Sequence, residues 1–102
     1  MMSTSTLNAI RLQLAAKEPE LRRRGIRHLE VFGSVARGED HAQSDVDLAV
    51  EIADGHSFSL IRMEEARLLL EDALGRPVDL GEIDSFRPRV RAAFKRDRIP
   101  IF

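Results

Sequence analysis

The sequence predicts a small single-domain α/β fold, residues 1–102. Three observations carry that prediction: one cleanly alternating strand, helical apolar spacing on either side of it, and a length of 102 residues, enough for one modest core. Leu7, Ile10, Leu12 and Leu14 recur at roughly helical spacing behind Ser3, Thr4 and Ser5, which are candidate N-caps, so a helix starts at about Ser5. Pro19 either interrupts this helix or opens a second short one in its first turn, with Gly25 as the stop. In RHLEVFG, Leu29 and Val31 alternate with His28, Glu30 and Phe32, a strand with two different faces that ends at Gly33-Ser34. VDLAVEI is the clearest strand, with Val46, Leu48, Val50 and Ile52 on one face and Asp47, Ala49 and Glu51 on the other, the face that Asp45 also joins. Asp54-Gly55 supplies a turn, Ser57 a cap, and a long amphipathic helix runs to Gly75. A short third strand, Pro77 to Leu80, closes at Gly81. Ser85 caps a last helix with Pro88 in its first turn, and the apolar IPIF end pairs on a sheet edge.

Composition narrows the function classes. The 43% hydrophobic and 32% charged content suits a folded chain. Without cysteine there is no disulfide framework, thiolate zinc site or cysteine nucleophile. Neither a basic-then-apolar leader nor a run near the ~20 apolar residues needed to span a bilayer is found, so a soluble, cytoplasmic protein is expected. A net charge of −1 argues against electrostatically driven nucleic-acid binding, but it is an average. Residues 1–26 carry +3, residues 27–85 carry −9 and residues 86–102 carry +5.

The acidic middle holds the candidate chemistry. Asp45 and Asp47, two apart on a strand, project to one face about 6.5 Å apart. If the Val78–Leu80 strand lies alongside, Asp79 joins them, because its neighbours are the core-facing pair. Three converging carboxylates repel one another unless a cation neutralises them, and an oxygen-only donor set favours Mg²⁺ or Mn²⁺. Such a site serves phosphoryl or nucleotidyl transfer. The ordinary reading of a bare Asp-x-Asp pair is a solvated strand face; the upstream context argues against it. Gly33-Ser34 ends a strand where a helix begins, a place for phosphate oxygens: Gly33 permits close backbone approach and Ser34 offers its hydroxyl and N–H. Together the two halves suit a metal–triphosphate.

The whole stretch GSVARGEDHAQSDVDL resembles the signature of the DNA polymerase β-like nucleotidyltransferases, in particular the minimal MNT type: Gly-Ser, Ala-Arg-Gly, a short spacer, then Ser-Asp-x-Asp-Leu. Asp79 in RPVDL matches the family's third carboxylate. The resemblance implies a palm core, a mixed sheet with helices on one face and the carboxylates on the other. It also implies roles: Gly33 and Ser34 for the triphosphate, Asp45 and Asp47 as the principal metal ligands, and Asp79 as a further ligand that acts as general base or polarises the attacking hydroxyl. Arg37 matches the family arginine, which either contacts a phosphate or braces the loop against Asp45 or Glu39. Because 102 residues hold no separate substrate-gripping domain, recognition is expected to come from a partner. The family is similar to antitoxins of HEPN-domain toxins, which implies a Mg²⁺-dependent transfer of AMP from ATP to a tyrosine of such a toxin. Two other readings stay open: a non-catalytic antitoxin acting by occlusion, and transfer to a small molecule or RNA.

Other residues are set aside. His28, His41 and His56 lack ligand spacing, and Ser44 reads as a turn residue rather than a catalyst. Arg22, Arg23 and Arg24 read as a solvated helix end, and Arg87, Arg89, Arg91, Lys95, Arg96 and Arg98 as a solvated face or a partner surface. Leu60, Met63, Leu68, Leu69, Leu70, Leu74, Phe86, Val90 and Phe94 read as core or interface. The absence of Trp and Tyr removes the aromatic interleaving of single-strand binders.

Overall fold

Strand alternation builds the centre of the molecule. Val46–Ile52 (β2) pairs antiparallel with Ile26–Phe32 (β1) and parallel with Val78–Glu82 (β3), while Ile99–Pro100 (β4) adds to the outer edge of β1. The resulting mixed sheet has the order β3-β2-β1-β4. This computed structural model describes residues 2–41, 44–55 and 59–102.

The helices follow from apolar spacing and backbone breakers. Met2–Ala15 (α1) and Glu18–Arg23 (α2) are two helices, with Pro19 in the first turn of the second. Because α1 already begins at Met2, Ser3, Thr4 and Ser5 lie inside it rather than capping it. Gly33–Arg37 (α3) is one short helix closed by Gly38 at φ +73°, a left-handed conformation that glycine adopts without strain. Leu60–Leu74 (α4) is capped by Ser59, whose hydroxyl accepts from the Arg62 N–H, and closed by Gly75. The expected cap Ser57, with His56, falls outside the described residues. Pro88–Asp97 (α5) starts after Arg87; Ser85 instead ends a 3₁₀ turn, Ile83–Ser85, and caps nothing. Strand β3 runs through Gly81 to Glu82 rather than stopping at it.

One sheet face carries the main core. Leu29 and Val31, Val46, Leu48 and Val50, and Val78 pack there with Ile10 and Leu14 of α1 and Ala66 and Leu70 of α4, all buried. Arg67 bridges Glu64 and Glu71 along α4, and Glu71 also accepts from the Val78 N–H at 2.9 Å, fixing the start of β3. On the opposite face α5 covers one end through Phe94, which meets Phe32, Phe86 and Ala49. The three rings sit 5.6 Å apart pairwise, in tilted and edge-on arrangements. That cover explains why β1 is buried on both faces. Glu30, 4% exposed, is satisfied by a two-point pair with Arg98 at 2.9 and 2.6 Å. Not every apolar residue of α4 is core: Leu60 and Ile61 are 89% and 73% exposed, and Leu68 is exposed too. Among the described residues no helix is long and apolar enough to cross a membrane.

Shortening a ring in the aromatic cluster tests its weight. Phe94→Leu keeps an apolar side chain but loses the edge-on contacts, and is expected to cost about 1–2 kcal/mol. An unchanged urea midpoint would show that α5 is not held through this ring.

Candidate active site

The registers bring the acidic residues together. Asp47 pairs directly with Asp79 across the parallel β2/β3 ladder, and Phe32, the last residue of β1, stands opposite Asp47. Gly33 follows Phe32 and therefore abuts the Asp47 side chain. A Cβ on Gly33 would lie 2.2 Å from Asp47 Oδ2, and the glycine sits at φ +76°. Two independent constraints thus require glycine here, close approach and a left-handed backbone.

Asp47 is half-buried, while Asp45, one residue ahead of β2, and Asp79 are exposed. Burial, reinforced by the charges of Asp79 and Asp45 and opposed by Arg37, pushes the Asp47 carboxyl up to about 6. The three carboxylates are thus within electrostatic reach of one another. Among the described residues, no three Asp, Glu, His or Cys side chains close on a single point. The donor set nevertheless fits a hard divalent cation: it is oxygen only, it is self-repelling, and the half-buried carboxylate at its centre gains from a counter-charge.

A cleft of about 390 Å³ opens over this face, lined by Phe32, Gly33, Ser34, Arg37, Asp47, Asp79, Arg89, Val90 and Ala93. It holds five of the six expected site residues; Asp45 stands outside the lining. Arg37 donates to Glu39 at 2.8 Å and to Asp97 at 2.6 Å. Of the two braces expected from sequence, Glu39 is present and Asp45 is not. Asp97, at the end of α5, is the unforeseen partner, and Arg96 and Arg37 hold its carboxyl below the usual range. The pair latches α5 to α3. Ser44 is a turn residue, as expected: its hydroxyl accepts from the His41 N–H at 3.0 Å. Arg89 reaches the cleft from α5, so the basic last helix is not only a solvated face.

Sequence reasoning missed Arg76, Asp40 and Asp97. Arg76 bonds Asp40 and two backbone carbonyls of the segment leading into β2. Partners 32 to 60 residues apart leave no periodic trace in a sequence.

The raised Asp47 carboxyl has a consequence for stability. Its folded value, about 6, exceeds its ordinary value of 3.8. Protonation therefore favours the folded state: the penalty from this group is absent at low pH, grows as pH rises through about 4, and is complete above about 6. Metal-free protein should gain thermal stability relative to Asp47→Asn as pH is lowered from 7.5 to 5. A constant difference between the two proteins across that range would contradict the assignment.

Comparison with known proteins places the chain in a family. The model of the nucleotidyltransferase domain family matches residues 14–101. The protein adenylyltransferase MntA of Thermococcus cleftensis is 42% identical over 80 residues, 78% of this chain and 79% of that protein. A solved structure provisionally described as a minimal nucleotidyltransferase superposes with a TM-score of 0.76 at 36% identity, covering 92% of this chain and 94% of the other. A chain from the structure of the tri-AMPylated Shewanella oneidensis HEPN toxin in complex with MNT antitoxin shares the fold, with a TM-score of 0.62 at 20% identity over 98% of this chain and 71% of that one. With the Gly-Ser turn set against paired carboxylates and the family model matched across both, the chain belongs to the nucleotidyltransferase domain family and is a nucleotidyltransferase of the minimal type.

Proposed function

We propose that this nucleotidyltransferase transfers AMP from ATP to a hydroxyl of a partner protein, a tyrosine of a HEPN-type toxin, and acts as its antitoxin in the cytoplasm. The observation that carries the reading is the abutment of Gly33 on Asp47 beside Asp79, which sets the Gly33-Ser34 turn against a carboxylate pair. The adenylyltransferase designation of the relative and the AMPylated toxin in the related complex support AMP as the group moved and a toxin as the acceptor.

Gly33 and Ser34 would hold the triphosphate, Gly33 by leaving its backbone open and Ser34 by donating its hydroxyl. Arg37 lines the same cleft with its charge already shared by Glu39 and Asp97, so it steadies α3 beside the phosphates. Asp45, Asp47 and Asp79 would hold Mg²⁺ or Mn²⁺, which when bound supplies charge neutralisation at the phosphates and fixes the ionised form of Asp47. Asp79, exposed at the cleft edge, accepts the acceptor hydroxyl proton as its oxygen bonds to the α-phosphorus. The bond from that phosphorus to the bridging oxygen breaks, and pyrophosphate leaves on the Ser34 side.

The exposed Leu60 and Ile61 favour a second reading, neutralisation by occlusion, since they offer an apolar surface to a partner. Mass spectrometry separates the two. Incubating the chain with ATP, Mg²⁺ and a HEPN-type toxin should add the mass of AMP to a tyrosine of that toxin. An inhibited partner of unchanged mass would replace transfer with occlusion.

A further inference from the structure

We infer that Arg76 is a positioning residue that sets Asp45 against Asp79 from outside the cleft. The inference rests on the carboxylate site proposed above. Arg76 occupies the turn between α4 and β3, three residues before Asp79, and its side chain is only 14% exposed. Its guanidinium reaches back to the segment between α3 and β2. One terminal nitrogen donates to Asp40 Oδ2 at 3.0 Å, and the other donates to the carbonyls of His41 at 3.0 Å and Ser44 at 2.8 Å. The Asp40 carboxylate is itself 5% exposed, so this ion pair is sheltered from solvent screening.

The next residue completes the arrangement. Pro77 O accepts from the Val46 N–H at 2.9 Å. Consecutive residues Arg76 and Pro77 therefore grip the backbone on both sides of Asp45, at the Ser44 carbonyl and at the Val46 N–H. The same turn continues directly into Asp79. Without the clamp, an irregular segment carrying an exposed carboxylate would be free to move away from Asp47 and Asp79, which repel it. Arginine suits the task where lysine does not, because three acceptors at fixed positions match a planar fork rather than a point charge.

Isothermal titration of Mn²⁺ into nucleotide-free protein tests the role without reference to transfer activity, read beside amide exchange at Ser44 to Asp47. Arg76→Ala should weaken Mn²⁺ binding by about 10–100-fold, in the range found when outer partners of metal ligands are removed. Arg76→Lys and Asp40→Asn should give intermediate losses and faster exchange at Val46. These two milder variants carry the test if Arg76→Ala does not fold. Lower melting temperatures with unchanged Mn²⁺ affinity and unchanged Val46 exchange would reduce Arg76 to a structural residue and overturn the inference. If wild type itself binds no Mn²⁺, the metal reading of the carboxylates fails, and the exchange measurement alone decides whether Arg76 positions Asp45.

Discussion

Replacing Asp45 and Asp47 together by Asn will abolish the proposed AMP transfer while leaving the fold and partner binding in place. The chemical loss is expected to be at least about 10³-fold, since a site of this kind works by charge stabilisation and both proposed metal ligands are removed. The fold should tolerate the change because neither carboxylate supports it. Asp45 is exposed, and Asp47 is half-buried, its carboxyl raised to about 6 by that burial and by the charges of Asp79 and Asp45. Asn is nearly isosteric and carries no charge, so the metal-free double variant should melt at or above the wild-type temperature at pH 7.5, as expected where function is held at a cost in stability. Transfer of label from α-labelled ATP to the partner, measured beside a melting curve and a binding curve, checks all three parts. Label transfer retained by the double variant would overturn the mechanism. A lost fold would mean that the carboxylates carry structural weight not visible in their exposure.

The legible parts of the molecule were those governed by short-range rules. VDLAVEI announced β2 because side chains on a strand alternate, and the same rule placed Asp47 and Asp79 on one face before any pairing was known. The parallel register then brought them side by side. Gly33-Ser34, where a strand ends and a helix begins, and the helix stop Gly75 were legible because turns and helix ends ask for particular backbone freedoms. What was not legible depended on packing at long range. Glu30 read as one member of an alternating strand, yet it is buried because α5 folds across that face and supplies Arg98. Ser85 looked like a helix cap, but Phe86 turns in to close the aromatic cluster and α5 starts later, at Pro88. Arg37 had two acidic candidates nearby in sequence, Asp45 and Glu39; its buried partner, Asp97, lies 60 residues away. The charge segments show the same division. The acidic middle supplies the site, and the basic end turns part of its charge inward, Arg98 onto Glu30 and Arg89 toward the cleft.

Gly33→Ala will disable transfer by a different route, and a double-mutant cycle will show why. A methyl group at this position meets Asp47 Oδ2 at 2.2 Å and Asp47 Cγ at 3.0 Å, while the backbone at φ +76° penalises any Cβ independently. Backbone strain of this kind costs about 1–2 kcal/mol. The collision adds to it, and it is relieved only by pushing Asp47 or the start of α3 aside. Either displacement spoils the approach between phosphate and carboxylate, and misplacement of that order costs about 10²-fold in rate. Truncating Asp47 separates the two contributions. In Asp47→Ala the colliding atoms are gone, and the nearest remaining Asp47 atom, Cβ, lies 3.3 Å from the new methyl, a contact that small shifts relieve. Adding Gly33→Ala to that background should therefore cost only the backbone strain, less than it costs in wild type, with an interaction energy of roughly 0.5–3 kcal/mol between the two positions. Urea unfolding of the four proteins measures it. Strict additivity would mean that Gly33 is required for its backbone conformation alone, and that its closeness to Asp47 is not what shapes the site.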